Sequence, residues 1–121
     1  MRLFAALVLA TALTAADGAV SELPAGAPLS PLISATSGTV VLDFHAVWCG
    51  PCKVLAPVLA EVAAERGVQV VKIDVDQHPA LAKQYGVQSI PFLVLVRNGT
   101  QVATRVGALP KDQLAAWVAT P

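Results

Sequence analysis

The chain has 121 residues, with hydrophobic side chains at 55% and charged ones at 13%, a composition that fits one globular domain and argues against both a second domain and a disordered tail. Eight Lys plus Arg balance eight Asp plus Glu with no basic block to track a phosphate backbone, which argues against nucleic acid as a partner. Two cysteines, Cys49 and Cys52, are too few and too close together to staple distant parts of a small fold, so their purpose is local.

At the amino terminus Met1-Arg2 supplies one positive charge, and Leu3 to Ala16 then runs uncharged until Asp17. At about 1.5 Å per helical residue this run falls short of a hydrocarbon core about 30 Å thick. It reads as a secretory signal peptide over residues 1–16, with Thr14 and Ala16 at the small positions before the cut, which predicts a periplasmic or secreted protein. An uncleaved membrane anchor and an ordinary buried helix are the other readings, and Ala10, Ala12 and Ala19 leave the cut itself open. Residues 17–37 hold Gly18, Pro24, Gly26, Pro28 and Pro31, with one short helical candidate at Ser30 to Thr36. This segment is expected to drape over the body of a domain spanning residues 38–121.

Thr39 to His45 (TVVLDFH) is a β-branched and apolar run that reads as a buried strand, with Asp43 out of character in it. A helix follows from about Cys49 to Arg66, with Val54, Leu55, Val58, Leu59 and Val62 at helical spacing, Pro57 expected to kink it, and Gly67 at the left-handed cap position. Val68 to Val75 reads as a strand, and Pro79 to Tyr85 as a short helix closed by Gly86. Strand, long helix, strand implies a right-handed crossover and parallel pairing. Phe92 to Arg97 and Gln101 to Val106 flank Asn98-Gly99 as an antiparallel hairpin, and Pro110 to Ala119 closes the chain as a helix. The order is β-α-β-α-β-β-α, an α/β fold with a mixed central sheet flanked by helices on both faces.

Chemistry concentrates in Trp48-Cys49-Gly50-Pro51-Cys52-Lys53, where the first strand ends and the long helix begins. Unpaired amides and the positive end of the macrodipole stabilise a thiolate at such a helix start. Cys49 is the outer sulfur, and Gly50-Pro51 lets Cys52 lie behind it, so attack, mixed disulfide and resolution follow. Zinc wants four ligands, and only His45 and His78 accompany the two cysteines. Haem attachment wants His directly after the second cysteine, where Lys53 stands. A purely structural disulfide would close too small a loop to constrain much of the unfolded chain. No metal or cofactor is therefore expected beyond a redox-active Cys49–Cys52 disulfide.

Further strings accompany that motif in order: Val41-Leu42-Asp43-Phe44, Asp76-Gln77-His78-Pro79, Tyr85-Gly86-Val87, Ser89-Ile90-Pro91, Arg97-Asn98-Gly99 and Val106-Gly107-Ala108-Leu109. With them, the chain from Thr39 to Thr120 resembles the thioredoxin family, and the resemblance implies the thioredoxin fold. It implies that Cys49 is the attacking thiolate and Cys52 the resolving one. It makes Pro91 a cis-proline that offers its backbone to substrate, although on residue chemistry alone Pro91 also fits the first residue of an edge strand. Asp43 becomes a buried carboxylate that helps deprotonate Cys52 through water, against the alternative of a solvent-facing aspartate. Lys72 becomes the lysine beside it, against a merely solvated lysine. Trp48, Gly50, Pro51, Ile90, Gly107 and Ala108 become the flat, uncharged patch where an extended substrate segment docks, and Trp48 serves packing as well.

The chain departs from the family at His45, where an aromatic residue is usual, at Val47, where an acid is common, and at Phe92, where Thr is frequent. His45 shares strand parity with Asp43, so it reads either as a structural histidine or as a residue that alters proton traffic. Ala19 to Ser37 matches the family's first strand and helix poorly, so residues 17–37 read as a degenerate version of that strand and helix, or as neither, and their absence or distortion would leave a sheet edge to cover. The expectation is a monomeric protein-disulfide oxidoreductase that reduces disulfides in other proteins and draws electrons from a membrane-bound or soluble thiol donor. The alternatives are a periplasmic oxidant or isomerase, a cytochrome c maturation thioredoxin, and a redox-inert binding module.

Overall fold

A computed structural model of the protein describes residues 18–121, so the segment read as a signal peptide lies outside the described residues. The elements described are β1 (Val20–Glu22), α1 (Ser30–Ala35), β2 (Thr39–His45), α2 (Gly50–Arg66), β3 (Gln69–Asp74), α3 (Pro79–Gln84), β4 (Phe92–Arg97), β5 (Thr100–Val106) and α4 (Lys111–Val118). They form one sheet in the order β1-β3-β2-β4-β5. β2 runs parallel to β3 and antiparallel to β4, which in turn pairs antiparallel with β5. The crossover helix α2 links the parallel pair, as the strand–helix–strand order requires.

β2 is apolar along nearly its whole length because it is central in the sheet and covered on both faces. Val41 points into a core with Leu55, Leu59 and Val62 of α2 and Leu114 and Trp117 of α4. Its neighbours Leu42 and Phe44 point the other way, into a core with Leu23, Leu29, Ile73 and Val94, where α1 and α3 lie against the sheet. Asp43 and His45 share the parity of Val41, so both face α2.

Local chemistry ends each element. Gly67 stops α2 in the left-handed region, at φ 64° and ψ 31°, with its N–H donating to the Ala63 carbonyl. Pro57 lies within α2, which nevertheless runs as one helix from Gly50 to Arg66. Its missing N–H deprives the Lys53 carbonyl of a partner. The β4–β5 turn places Asn98 at φ 50° and Gly99 at φ 81°, the two positive values a tight hairpin of matching twist requires. The same Asn98 pins this turn to Gly38, accepting its N–H at 2.9 Å on Oδ1 and donating its own N–H to the Gly38 carbonyl at 2.9 Å.

The amino-terminal segment does more than drape. β1 pairs in parallel with β3, with Val20 opposite Val70 and Glu22 opposite Lys72, and the Leu23 N–H donates to the Lys72 carbonyl at 2.8 Å. The sheet edge expected to lie open is thereby covered. All three residues of β1 are exposed, so no alternation marks the strand; it forms through backbone pairing and through Leu23 and Leu29, which bury beside it.

Candidate active site

Cys49 occupies the N-cap of α2 with an extended backbone, φ −83° and ψ 107°, and its Sγ accepts the Cys52 N–H at 3.2 Å. The two cysteines form a disulfide with Cα atoms 5.3 Å apart. Exposure does not make Cys49 the outer sulfur as expected: Cys49 is 4% exposed and Cys52 6%. Closed as a disulfide, both pack against Ala46, Val75 and Ile90. What distinguishes them is the helix start. Only Cys49 sits at the cap with an amide donated to its sulfur.

The surroundings are built by three loops. The Ile90–Pro91 peptide is cis, and the Gly107 N–H donates to the Pro91 carbonyl at 2.8 Å, which draws the loop after β5 to the one before β4. Gly50, Pro51 and Ala108 are exposed, Ile90 and Gly107 half-buried and Pro91 buried. Trp48 is 67% exposed, yet its indole N–H donates to Asp76 Oδ2 at 2.8 Å, so the ring is held rather than loose. It lines a groove of about 360 Å3 with Val75, Ala82, Val87, Ser89 and Ile90. Sequence reasoning quoted Asp76 only as part of a string; its role as the indole's acceptor depends on a contact between two separate loops.

On the α2 side of the sheet Asp43 is 1% exposed, which removes the solvent-facing reading. Its Oδ1 is buried with no hydrogen-bond partner. Burial pushes its carboxyl up from 3.8 to about 6, against the lowering influence of the charges on His45 and Lys72. Lys72 is half-buried and is the register partner of Asp43, so it is not simply a solvated lysine on an open face. A cleft of about 260 Å3 is lined by His45, Ala46, Val47, Cys52, Lys53, Ala56 and Lys72.

The two histidines have partners of their own. His45 Nε2 lies 2.9 Å from Glu22 Oε1, and His78 Nε2 lies 3.2 Å from the Leu23 carbonyl oxygen. Glu22 has no motif around it, so nothing in the sequence pointed to it. Among the described residues no group of three or more His, Cys, Asp or Glu side chains is placed to hold a metal ion. A concavity of about 450 Å3 between α1 and α3 is lined by Leu29, Ile33, Leu81 and Tyr85 and lies on the other side of the sheet from Asp43. The cap sulfur, the second sulfur one turn behind it and a buried carboxyl of raised pKa on the α2 side of the sheet are parts that dithiol–disulfide exchange can use.

Comparison with known proteins agrees with this geometry. The family model described as thioredoxin matches residues 28–120. Thioredoxin of Haemophilus influenzae is 56% identical over 81 residues, which are 65% of this chain and 76% of that protein. Thioredoxin 1 of Synechococcus elongatus is 49% identical over 78 residues, 63% of this chain and 73% of its own. Among solved structures, a mutant thioredoxin from Halobacterium salinarum superposes with a TM-score of 0.77 at 37% identity, covering 85% of this chain and 90% of that one. Thioredoxin F from spinach chloroplast, in its short form, gives a TM-score of 0.74 at 30% identity over 85% of this chain and 93% of its own.

Proposed function

The chain belongs to the thioredoxin family and is a thiol–disulfide oxidoreductase working through Cys49 and Cys52, and on that footing we propose that it acts in the reducing direction on disulfides of other proteins. One observation carries the direction. The Cys49 sulfur takes a single amide, from Cys52, and the intervening Gly50-Pro51 offers no side-chain donor, so the reduced form is not strongly stabilised. Strong oxidants of this class owe their potential to a stabilised thiolate, and family members of that kind usually carry a histidine between the cysteines.

In the forward reaction the Cys49 thiolate attacks one sulfur of the substrate disulfide, forms a mixed disulfide and expels the other sulfur as a thiolate. Cys52 then gives up its proton and attacks Cys49 Sγ. The Cys49–Cys52 bond closes and the second substrate thiolate departs, so two electrons reach the substrate, whose two thiolates take their protons from solvent. Asp43 receives the Cys52 proton through water in the cleft that Cys52, His45 and Lys72 line, a role its raised pKa suits. Trp48, Gly50, Pro51, Ile90, Gly107 and Ala108 form the docking surface, Pro91 offers its backbone to the substrate, and the protein works as a monomer. Export is supported by the uncharged run Leu3 to Ala16, and a reductant outside the cytoplasm draws electrons from a membrane-bound or soluble thiol donor.

Insulin reduction tests the reading. The parent should turn it over and Cys49→Ser should not; equal activity of the two would leave only a binding module. Equilibration with glutathione and dithiothreitol buffers should place the pair near dithiothreitol, whereas equilibration near glutathione or above it would make the protein an oxidant or isomerase.

A further inference from the structure

Four side chains that carry or can carry charge share one face of the sheet beside the active site: Glu22, Lys72, Asp43 and His45. Glu22 on β1 is the register partner of Lys72 on β3, and Lys72 is the register partner of Asp43 on β2. His45 follows Asp43 on the same face of β2, and Glu22 reaches across the sheet to meet its Nε2 at 2.9 Å. Glu22 is 46% exposed, His45 mostly buried and Asp43 fully so. His45 and Lys72 also line the cleft that Cys52 lines. Two further charges face this region: Asp74 of β3, the register partner of His45, which accepts the Asp76 N–H on Oδ1, and Lys53 of α2 at the cleft. From β4 the neighbour of Asp43 is the apolar Leu93.

We infer that the Glu22–His45 pair is a positioning unit that sets the protonation of Asp43 and so governs how readily Cys52 is deprotonated during resolution. The inference rests on the reading of Asp43 as the acceptor of the Cys52 proton. Glu22 and His45 meet on the face of the sheet that carries Asp43, and their charges act on its carboxyl with opposite signs: His45 favours the ionised form and Glu22 opposes it.

The experiment follows the Asp43 carboxyl carbon and the His45 ring proton by NMR from pH 4 to 9, alongside the rate of Cys52-dependent resolution, in the parent, His45→Phe, His45→Gln and Glu22→Gln. Over about 7 Å, loss of the imidazolium should raise the Asp43 midpoint by about half a pH unit or more, and the acid limb of the resolution rate should move with it. Glu22→Gln, at a half-exposed site that tolerates substitution, removes the carboxylate that opposes His45 and should lower the Asp43 midpoint. His45→Gln keeps a neutral partner for Glu22 and gives the same reading should His45→Phe fail to fold. If Asp43→Asn leaves the acid limb in place, the acceptor reading fails and this inference with it. If Asp43→Asn abolishes that limb while both His45 variants leave it unmoved, the inference alone is overturned.

Discussion

Asp43 and Lys72 stand opposite each other on neighbouring parallel strands, yet Asp43 Oδ1 is buried without a hydrogen-bond partner. Register alone therefore does not satisfy the carboxylate. Removal from water outweighs the attraction of the nearby cations, and the carboxyl holds its proton to about pH 6. A carboxyl kept that close to neutrality suits proton exchange with a thiol, and the same property costs the fold stability.

The cost has a definite sign. Between about pH 4 and pH 6 the folded chain still binds a proton at Asp43 that the unfolded chain has released, so stability falls as pH rises through that window. Above it the penalty is on the order of 3 kcal/mol. Asp43→Asn should therefore gain about 1–3 kcal/mol in urea unfolding at pH 8, and the gain should vanish below pH 4. A gain of equal size at both pH values would mean that packing, not ionisation, accounts for it.

Much of this architecture is legible in the chain because it follows from local chemistry. The run from Thr39 to His45, the Gly67 cap and the Asn98-Gly99 turn each encode their element within a few residues. The site motif is equally local, since Cys49 and Cys52 share one turn of helix. What sequence reading missed depends on residues far apart in the chain. β1 is a strand only because β3 lies beside it, and Glu22 matters only because that pairing carries it to His45. Trp48 likewise reads in the sequence as a docking or packing aromatic without a named partner, because the Asp76 that holds its indole lies in a separate loop.

That indole contact has a measurable consequence. Asp76 accepts from Trp48 while its own N–H donates to Asp74 Oδ1, so the loop after β3 holds the indole ring in place. Asp76→Ala should free the ring and raise KM for a protein disulfide about five-fold, corresponding to roughly 1 kcal/mol of lost preorganisation. Reduction of a small disulfide, which needs no docking surface, should hardly change. Equal loss on both substrates would place the defect at the sulfurs instead.

A second prediction concerns stability away from the site. Arg97, at the end of β4, donates through its guanidinium to the Val118 carbonyl at 2.9 Å and to the Thr120 carbonyl, and through Nε to Thr39 Oγ1 at 3.3 Å. It caps the end of α4, where carbonyls lack helical partners and the dipole favours a cation. Arg97→Met should cost about 1–3 kcal/mol in urea unfolding and speed amide exchange in α4, with insulin turnover unchanged. A change under about 0.5 kcal/mol would show that the C-terminal helix is held by Leu114 and Trp117 packing alone.

The remaining prediction separates the two thiols by their positions at the helix start. The amide donated to Cys49 Sγ comes from the main chain of residue 52, so it survives replacement of the Cys52 side chain. In Cys52→Ser, alkylation of Cys49 should show a midpoint below the value of about 8.5 for free cysteine. Cys52 lies inside the first turn with no such donor to its sulfur, and in Cys49→Ser it should titrate higher than Cys49 does in the converse variant. The same Cys52→Ser protein should accumulate a mixed disulfide with its substrate, because the thiol that would break that bond is gone. Two indistinguishable midpoints would mean that the cap amide does not select the attacking sulfur, and the order of events at the two cysteines would have to come from access alone.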